Sequence, residues 1–250
     1  MKTILIAEVG LNHLGDDKLA REYFDALGRL SIDAISIQVR EPEFYKRPEK
    51  SHLHLSLTAI RRVSYVAKEY GKQFGVALAD INKVDSIDKM NPDFYKIIRD
   101  DMKNNALVEK LLKTGKKVIV STGLSTDRQI KAFLRKYKDY NNIVLNHTQL
   151  SYSVEDCNLK AIADLREKNN VPVSFGTHCS NPDILKMALC YEPSDILFYV
   201  KMDDGEYPDD KHAIQIKDVQ ELCLDLRNLS KAIGEGAKVK VKNKIPEMKL

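Results

Sequence analysis

Eight short apolar, β-branched runs alternate with longer amphipathic stretches along the chain, and this alternation limits the fold more than any other feature. The runs are Ile4–Val9, Ala34–Val39, Gln73–Leu78, Phe94–Ile98, Val118–Ser121, Ile143–Asn146, Val171–Phe175 and Ile196–Val200. Helical spacing marks residues 16–29, 57–70, 81–89, 103–114, 126–138, 156–168, 181–191 and 215–232. The last is the clearest, with Val219, Leu222, Cys223, Leu226 and Leu229 recurring on one face. Eight strands, each followed by a helix, is the count that closes a (β/α)8 TIM barrel. A doubly wound open sheet usually has fewer strands and carries a glycine-rich phosphate turn, which this chain lacks. The expectation is an α/β fold with one barrel domain over 1–236, followed by a lysine-rich basic tail at 237–250.

Composition narrows the function classes. The 250 residues, 43% of them hydrophobic, suffice for one sizeable core. Forty basic residues against 36 acidic ones leave a net charge of only +4. The basic side chains fall on helix faces, such as Arg61, Arg62 and Lys68, as a solvated surface would place them. Nucleic acid is therefore not an expected partner. No apolar run approaches the ~20 residues needed to span a bilayer, so no membrane role is expected. Cys157, Cys179, Cys190 and Cys223 show neither CxxC spacing nor a secreted disulfide pattern. With no signal-peptide pattern at residue 1, a cytoplasmic location with reduced thiols is expected.

Polar groups at the carboxyl ends of barrel strands, ahead of the helices, are where such folds build active sites. The opening run ends in Glu8-Val9-Gly10-Leu11-Asn12-His13. The other strand ends project Gln38, Arg40, Asp80, Arg99, Asp100, Asp101, Ser121, Thr122, His147, Thr148, His178, Lys201, Asp203 and Asp204. Of these, Asn12, Gln38, Arg99, Asp101, Ser121, Thr122, Thr148, Lys201 and Asp203 are candidate substrate contacts. Lys96 sits inside the fourth run among apolar and aromatic neighbours. A lysine facing the lumen needs an anion or a Schiff-base partner; the other reading has it pointing outward between helices. Ser121-Thr122-Gly123 ahead of a helix could offer hydroxyls and amides to an anion. His147 and His178 end neighbouring strands and could together hold a divalent metal, with a carboxylate such as Glu8 or Asp203. His52 and His54, in the proline-broken segment 41–55, read as solvated, and that segment as a loop acting as a lid or substrate wall.

These motifs, in order, resemble the sialic acid synthases, which make nonulosonic acids. The likeness rests on Glu8-Val9-Gly10-Leu11-Asn12-His13, Tyr95-Lys96-Ile97, Ser121-Thr122-Gly123 and Glu155-Asp156-Cys157-Asn158-Leu159, and runs from about residue 3 to 236. The resemblance implies a barrel that condenses phosphoenolpyruvate with an N-acetylhexosamine, with a divalent metal, manganese or magnesium, as cofactor and no organic cofactor. It implies Glu8 beside the sugar, Lys96 and Ser121 on phosphoenolpyruvate, His178 on the metal, and a homodimer. It also exposes departures. Ser36 stands where the family has a phosphoenolpyruvate-binding lysine, and Ile98-Arg99-Asp100-Asp101 replaces a Gly-Ser-Gly-Glu turn. Gly176-Thr177-His178 replaces Ser-Asp-His, and Val200 falls where the second metal histidine is expected. Arg99 could restore the lost positive charge and His147 the lost ligand. The small antifreeze-like domain that follows the barrel in the family is not expected in this chain.

Three functions compete at this stage. One is a working synthase with Glu8 and Lys96 as catalytic residues. Another is a diverged aldolase, lyase or sugar isomerase, the lyase using Lys96 or Lys201 as a Schiff-base amine. The third is a non-catalytic sugar-binding subunit.

Overall fold

The structure, a computed structural model, describes residues 2–238. Eight strands pair in sequence order, all parallel: β1 (Ile4–Gly10), β2 (Ala34–Val39), β3 (Gln73–Leu78), β4 (Phe94–Ile97), β5 (Lys117–Ser121), β6 (Ile143–His147), β7 (Val173–Gly176) and β8 (Asp195–Lys201). Pairing of β1 with β8 closes the sheet into a (β/α)8 barrel. Around it lie α1 (Asp17–Gly28), α2 (Pro42–Tyr45), α3 (Leu57–Glu69), α4 (Val84–Asp88), α5 (Asn105–Leu112), α6 (Asp127–Lys136), α7 (Lys160–Asn169), α8 (Asp183–Ala188) and α9 (Ile216–Ile233). A two-residue strand, β9 (Ile214–Gln215), pairs with the end of β8. No helix among the described residues is long and apolar enough to cross a membrane.

Alternation along each strand sorts the core. Outward residues such as Leu5, Ala7, Ile35, Ile37 and Phe74 pack with Tyr23, Phe24 and Val63 of the surrounding helices. Inward residues Ile6, Ala34, Phe94, Ile119, Val144 and Leu197 form a separate apolar layer inside the barrel. Each large side chain buried this way stabilises the fold by roughly 1.5–3 kcal/mol. Gly75 belongs to that layer by absence: a Cβ there would lie 2.0 Å from the Phe94 ring, which fills the space. Below it, Lys117 pairs with Asp195 at 2.7 Å. Two residues further along the same faces come Glu8, Ser36, Lys96, Ser121, Asn146 and Tyr199, all buried. The strand period therefore turns an apolar floor into a polar layer at the carboxyl ends.

Local chemistry sets the boundaries. The Asp16 carboxylate caps α1 by accepting from the amides of Lys18 and Leu19 at 2.7 and 3.1 Å. Thr126 and Gln129 form a reciprocal capping box on α6. β7 starts at Val173 rather than Val171 because Pro172 has no amide to give to the ladder. The 156–168 helix begins only at Lys160, since Asn158 takes a left-handed backbone (φ 43°) after a 3-10 turn. Segment 41–55 is more ordered than a loop: it holds α2 and a 3-10 turn at Ser51–Leu53, and Phe44 and Leu53 pack on Leu11. Of the basic tail placed at 237–250, residues 239–250 lie outside the described residues.

Candidate active site

Lys96 faces the lumen, and its Nζ donates to both carboxylate oxygens of Glu8, at 2.7 and 2.6 Å. The outward reading of Lys96 is thereby excluded. Its Nζ also lies 5.6 Å from the centre of the Tyr199 ring. An ammonium has three donors, so Glu8 leaves Lys96 one to offer elsewhere. Above this pair opens a cavity of about 230 Å3 at the carboxyl ends of the strands. Gln38, Ser121, Asn146, Thr148, Arg99 and His178 line it, together with Tyr199 and Asp209.

Cations dominate one wall. Arg40, just past the end of β2, stacks 4.5 Å from the Phe44 ring centre and pairs with Glu41 at 2.9 Å. Arg47 and Lys50, from segment 41–55, complete that wall, so the segment does form one side of the site. Arg99 enters from the end of β4 with a left-handed backbone (φ 45°), a strained conformation for arginine.

The opposite wall comes from the stretch after β8. Asn12 donates from Nδ2 to the Val200 carbonyl at 2.8 Å and accepts at Oδ1 from the Asp209 amide at 3.1 Å. Gly10, with φ +58°, leaves room there: a Cβ would lie 2.7 Å from Asp209 Oδ2. Burial, then the nearby Glu8 charge, push the Asp209 carboxyl up to about 6. The Asp209 carbonyl accepts from the amides of His212 and Ala213 at 3.3 and 3.1 Å, which brings His212 back over the barrel. The His212 ring centre lies 4.6 Å from that of His178 and 4.7 Å from that of Tyr199. Burial, with the Lys96 charge adding to it, lowers His178 to about 4. Burial, His178 and Lys96 together lower His212 to about 3. Both rings are neutral at neutral pH, with a free lone pair each.

Three nitrogens of this pair, His178 Nδ1 and His212 Nδ1 and Nε2, are buried without a hydrogen-bond partner. Such orphaned groups cost about 1–3 kcal/mol each unless something binds them. These donors fit the metal that the sequence resemblance implies as an open, two-imidazole arrangement. Among the described residues no group of three or more histidine, cysteine or acidic side chains is placed to hold a metal.

Several sequence-derived assignments change. His147 does not join His178: its Nε2 is 2.9 Å from the Cys157 carbonyl, and its ring lines a separate cavity beside α6 and α7. Thr122 lines that second cavity too and donates to the Asn146 carbonyl at 3.0 Å, whereas Thr148 borders both. Asn12 is fully buried with both ends of its amide engaged, so it positions the wall rather than a ligand. Lys201 pairs with Asp210 at 2.6 Å and lines a neighbouring cavity rather than the main one. His212 lines that same neighbouring cavity and meets the main site only through its ring contacts with His178 and Tyr199. Asp203 folds its own loop, accepting from the Gly205 amide and the Tyr207 hydroxyl at 2.8 and 2.9 Å. Asp101 belongs to the 3-10 turn Arg99–Lys103 and is not among the cavity-lining residues. Tyr199, Asp209 and His212 escaped the sequence reading. The period of β8 would have found Tyr199, since it is two residues from the inward Leu197. No short-range signal marks Asp209 or His212, which depend on where the chain returns.

A closed barrel carrying a buried ion pair, several cationic side chains and neutral imidazoles at the carboxyl ends of its strands is the scaffold of a barrel enzyme. The chain belongs to the NeuB family, whose model matches residues 38–238. It is 31% identical to an uncharacterized protein of Methanocaldococcus jannaschii, the match covering 95% of this chain and 74% of that one. It is 25% identical to the N,N'-diacetyllegionaminic acid synthase of Campylobacter jejuni, over 95% of this chain and 79% of that one. Among solved structures it superposes on the N-acetylneuraminic acid (sialic acid) synthetase of Leptospira borgpetersenii, in complex with citrate. That match has a TM-score of 0.89 at 22% identity and covers 97% of this chain and 88% of that one. At that identity the likeness establishes the fold alone.

Proposed function

We propose that this chain is a synthase that joins phosphoenolpyruvate to an N-acetylhexosamine-type aldose, forming a nonulosonic acid for a surface glycan. The observation that carries the reading is the Lys96–Glu8 pair, set at the base of a cavity whose rim holds Arg99, Arg47 and Lys50. A bisanionic ligand needs several cations, and the site supplies them although Ser36 replaces one lysine. Lys96 binds with its remaining donor, Arg99 offers a planar fork to phosphate or carboxylate, and Ser121 adds a hydroxyl.

In this reading the π electrons at C3 of phosphoenolpyruvate form the new bond to the aldehyde carbon. The carbonyl pair moves onto oxygen, which takes a proton from the Asp209 carboxyl. Raised to about 6, Asp209 has suitable acidity for that transfer near neutral pH. Water then adds at C2, returns a proton to Asp209, and inorganic phosphate leaves as the 2-keto acid forms. Glu8 orients Lys96 and presents its carboxylate to the sugar hydroxyls. A bound divalent ion would polarise the aldehyde oxygen. The lyase reading is less well served, because Lys96 is clasped by Glu8 and Lys201 by Asp210, and neither is a free amine.

Phosphate release from phosphoenolpyruvate, followed with a panel of N-acetylhexosamines and a divalent metal, tests the reading. Aldose-dependent release matched by a 2-keto acid product is expected. Failure of phosphoenolpyruvate to bind in calorimetric titration, with or without manganese, would overturn it.

A further inference from the structure

We propose that His178 and His212 together form the protein's site for a divalent transition-metal ion, with His212 supplying the imidazole that β8 lacks at Val200. The two ring centres are 4.6 Å apart with their planes inclined by 49°. Three of their ring nitrogens are buried with no other partner, so the pair has ligating capacity that the fold does not use. Imidazole nitrogen is a favoured ligand for first-row transition ions. His147, the alternative second ligand, is spent on the Cys157 carbonyl.

The position of His212 is built in. Asn12 ties down both Val200 and Asp209, and the Asp209 carbonyl holds the His212 amide. β9 then anchors the chain immediately afterwards on β8. The ring is walled by Tyr199 at 4.7 Å and Tyr152 at 5.9 Å. Asp209 Oδ1 lies 3.9 Å from His212 Nε2, so a carboxylate stands beside the pair. Two cations face it, Lys96 and Arg99, and Lys96 is already matched by Glu8. With two protein nitrogens as ligands, a bound ion would leave its remaining positions to water and substrate oxygens. The binding of the ion stands independently, whereas its use in the condensation rests on the synthase reading.

The test needs no substrate. Metal-stripped protein is titrated with Mn2+ alone, the free ion being followed by electron paramagnetic resonance, and with Co2+ alone, followed by visible absorption. Wild-type protein should bind one equivalent. His178→Ala, His212→Ala and the size-preserving His212→Gln should each weaken binding by more than about tenfold, a floor set by the loss caused by removing an outer-sphere partner. His147→Ala should bind as wild type does. Circular dichroism and thermal melting of each variant separate lost ligation from lost folding. Wild-type affinity in a folded His212→Gln protein would overturn the proposal, as would transfer of the loss to His147→Ala or no binding by the wild type. Phosphoenolpyruvate titration of the same metal-free protein judges the synthase reading separately.

Discussion

The Lys96 ammonium reaches across the barrel lumen from β4 to grip both oxygens of Glu8 on β1, at 2.7 and 2.6 Å, although 88 positions separate them in the chain. Both side chains are buried, at 7% and 3% exposure, so neither charge is supported by bulk water. Removing one partner strands the other. Lys96→Met or Glu8→Gln alone should lower stability by about 3–5 kcal/mol, and the double variant by much less than the sum. Urea unfolding of the four proteins measures this coupling. Additive losses would mean that the pair does not act as a unit.

Arg99 reaches the cavity through a left-handed backbone, and a strained cation at the mouth of a site is best accounted for by what it binds. Arg99→Ala should raise the Kd for phosphoenolpyruvate by about 10–100-fold, the loss of one charge-assisted hydrogen bond of roughly 1.5–3 kcal/mol. It should change stability little. Calorimetric titration and a urea curve on the same variant separate the two effects; unchanged affinity would remove Arg99 from the anion cradle.

The barrel was legible because a two-residue strand period and a helical period repeat in strict alternation, and each is a local property. Lys96 was legible for the same reason: a charge inside an apolar run demands a partner, although the choice of Glu8 is made only by closure of the barrel. Thr122, Lys201 and Asp203 show the limit of that reading. A residue at a strand end can face the lumen, a neighbouring helix or its own loop, and the sequence position is similar in all three cases. His147 ends a strand beside that of His178, yet its ring is held by the Cys157 carbonyl. His212 was hidden for the opposite reason. It lies eleven residues beyond β8, and its return to the barrel depends on Asn12, at the far end of the chain.

His13 should make the protein sensitive to acid. It is fully buried, its Nδ1 accepts from the Gly15 amide at 2.9 Å, and burial lowers it from 6.5 to about 4. Below pH 6.5 the unfolded chain takes up a proton that the folded state refuses until about pH 4. The contribution is therefore fully present above pH 6.5 and is lost as pH falls through that window. A difference of 6.5 − 4 = 2.5 pK units corresponds to about 3 kcal/mol. His13→Asn keeps an acceptor for Gly15 and removes the titration. Denaturation curves between pH 4 and 7 should show wild-type stability falling more steeply than that of His13→Asn. Parallel curves would exclude His13 as the source.

Asn12 is a positioning residue, and its loss should be felt through the groups it holds. Its amide bridges Val200, at the end of β8, and Asp209, on the stretch that carries His212. Asn12→Ala leaves the Val200 carbonyl and the Asp209 amide without that partner, at a cost of about 1–3 kcal/mol for each buried group left unsatisfied. Lys96 and Ser121, on other strands, and Arg99, in the turn after β4, should keep their places. Phosphoenolpyruvate affinity should then stay within about twofold, on the rule that effects at sites without shared partners are nearly independent. The condensation rate should fall, because Asp209 and His212 lose their anchor together. Steady-state kinetics reads the split as a drop in kcat at nearly constant KM, and amide exchange over residues 202–213 should quicken. If KM rose instead with that exchange unaltered, Asn12 would be touching the ligand directly and the positioning role would be wrong.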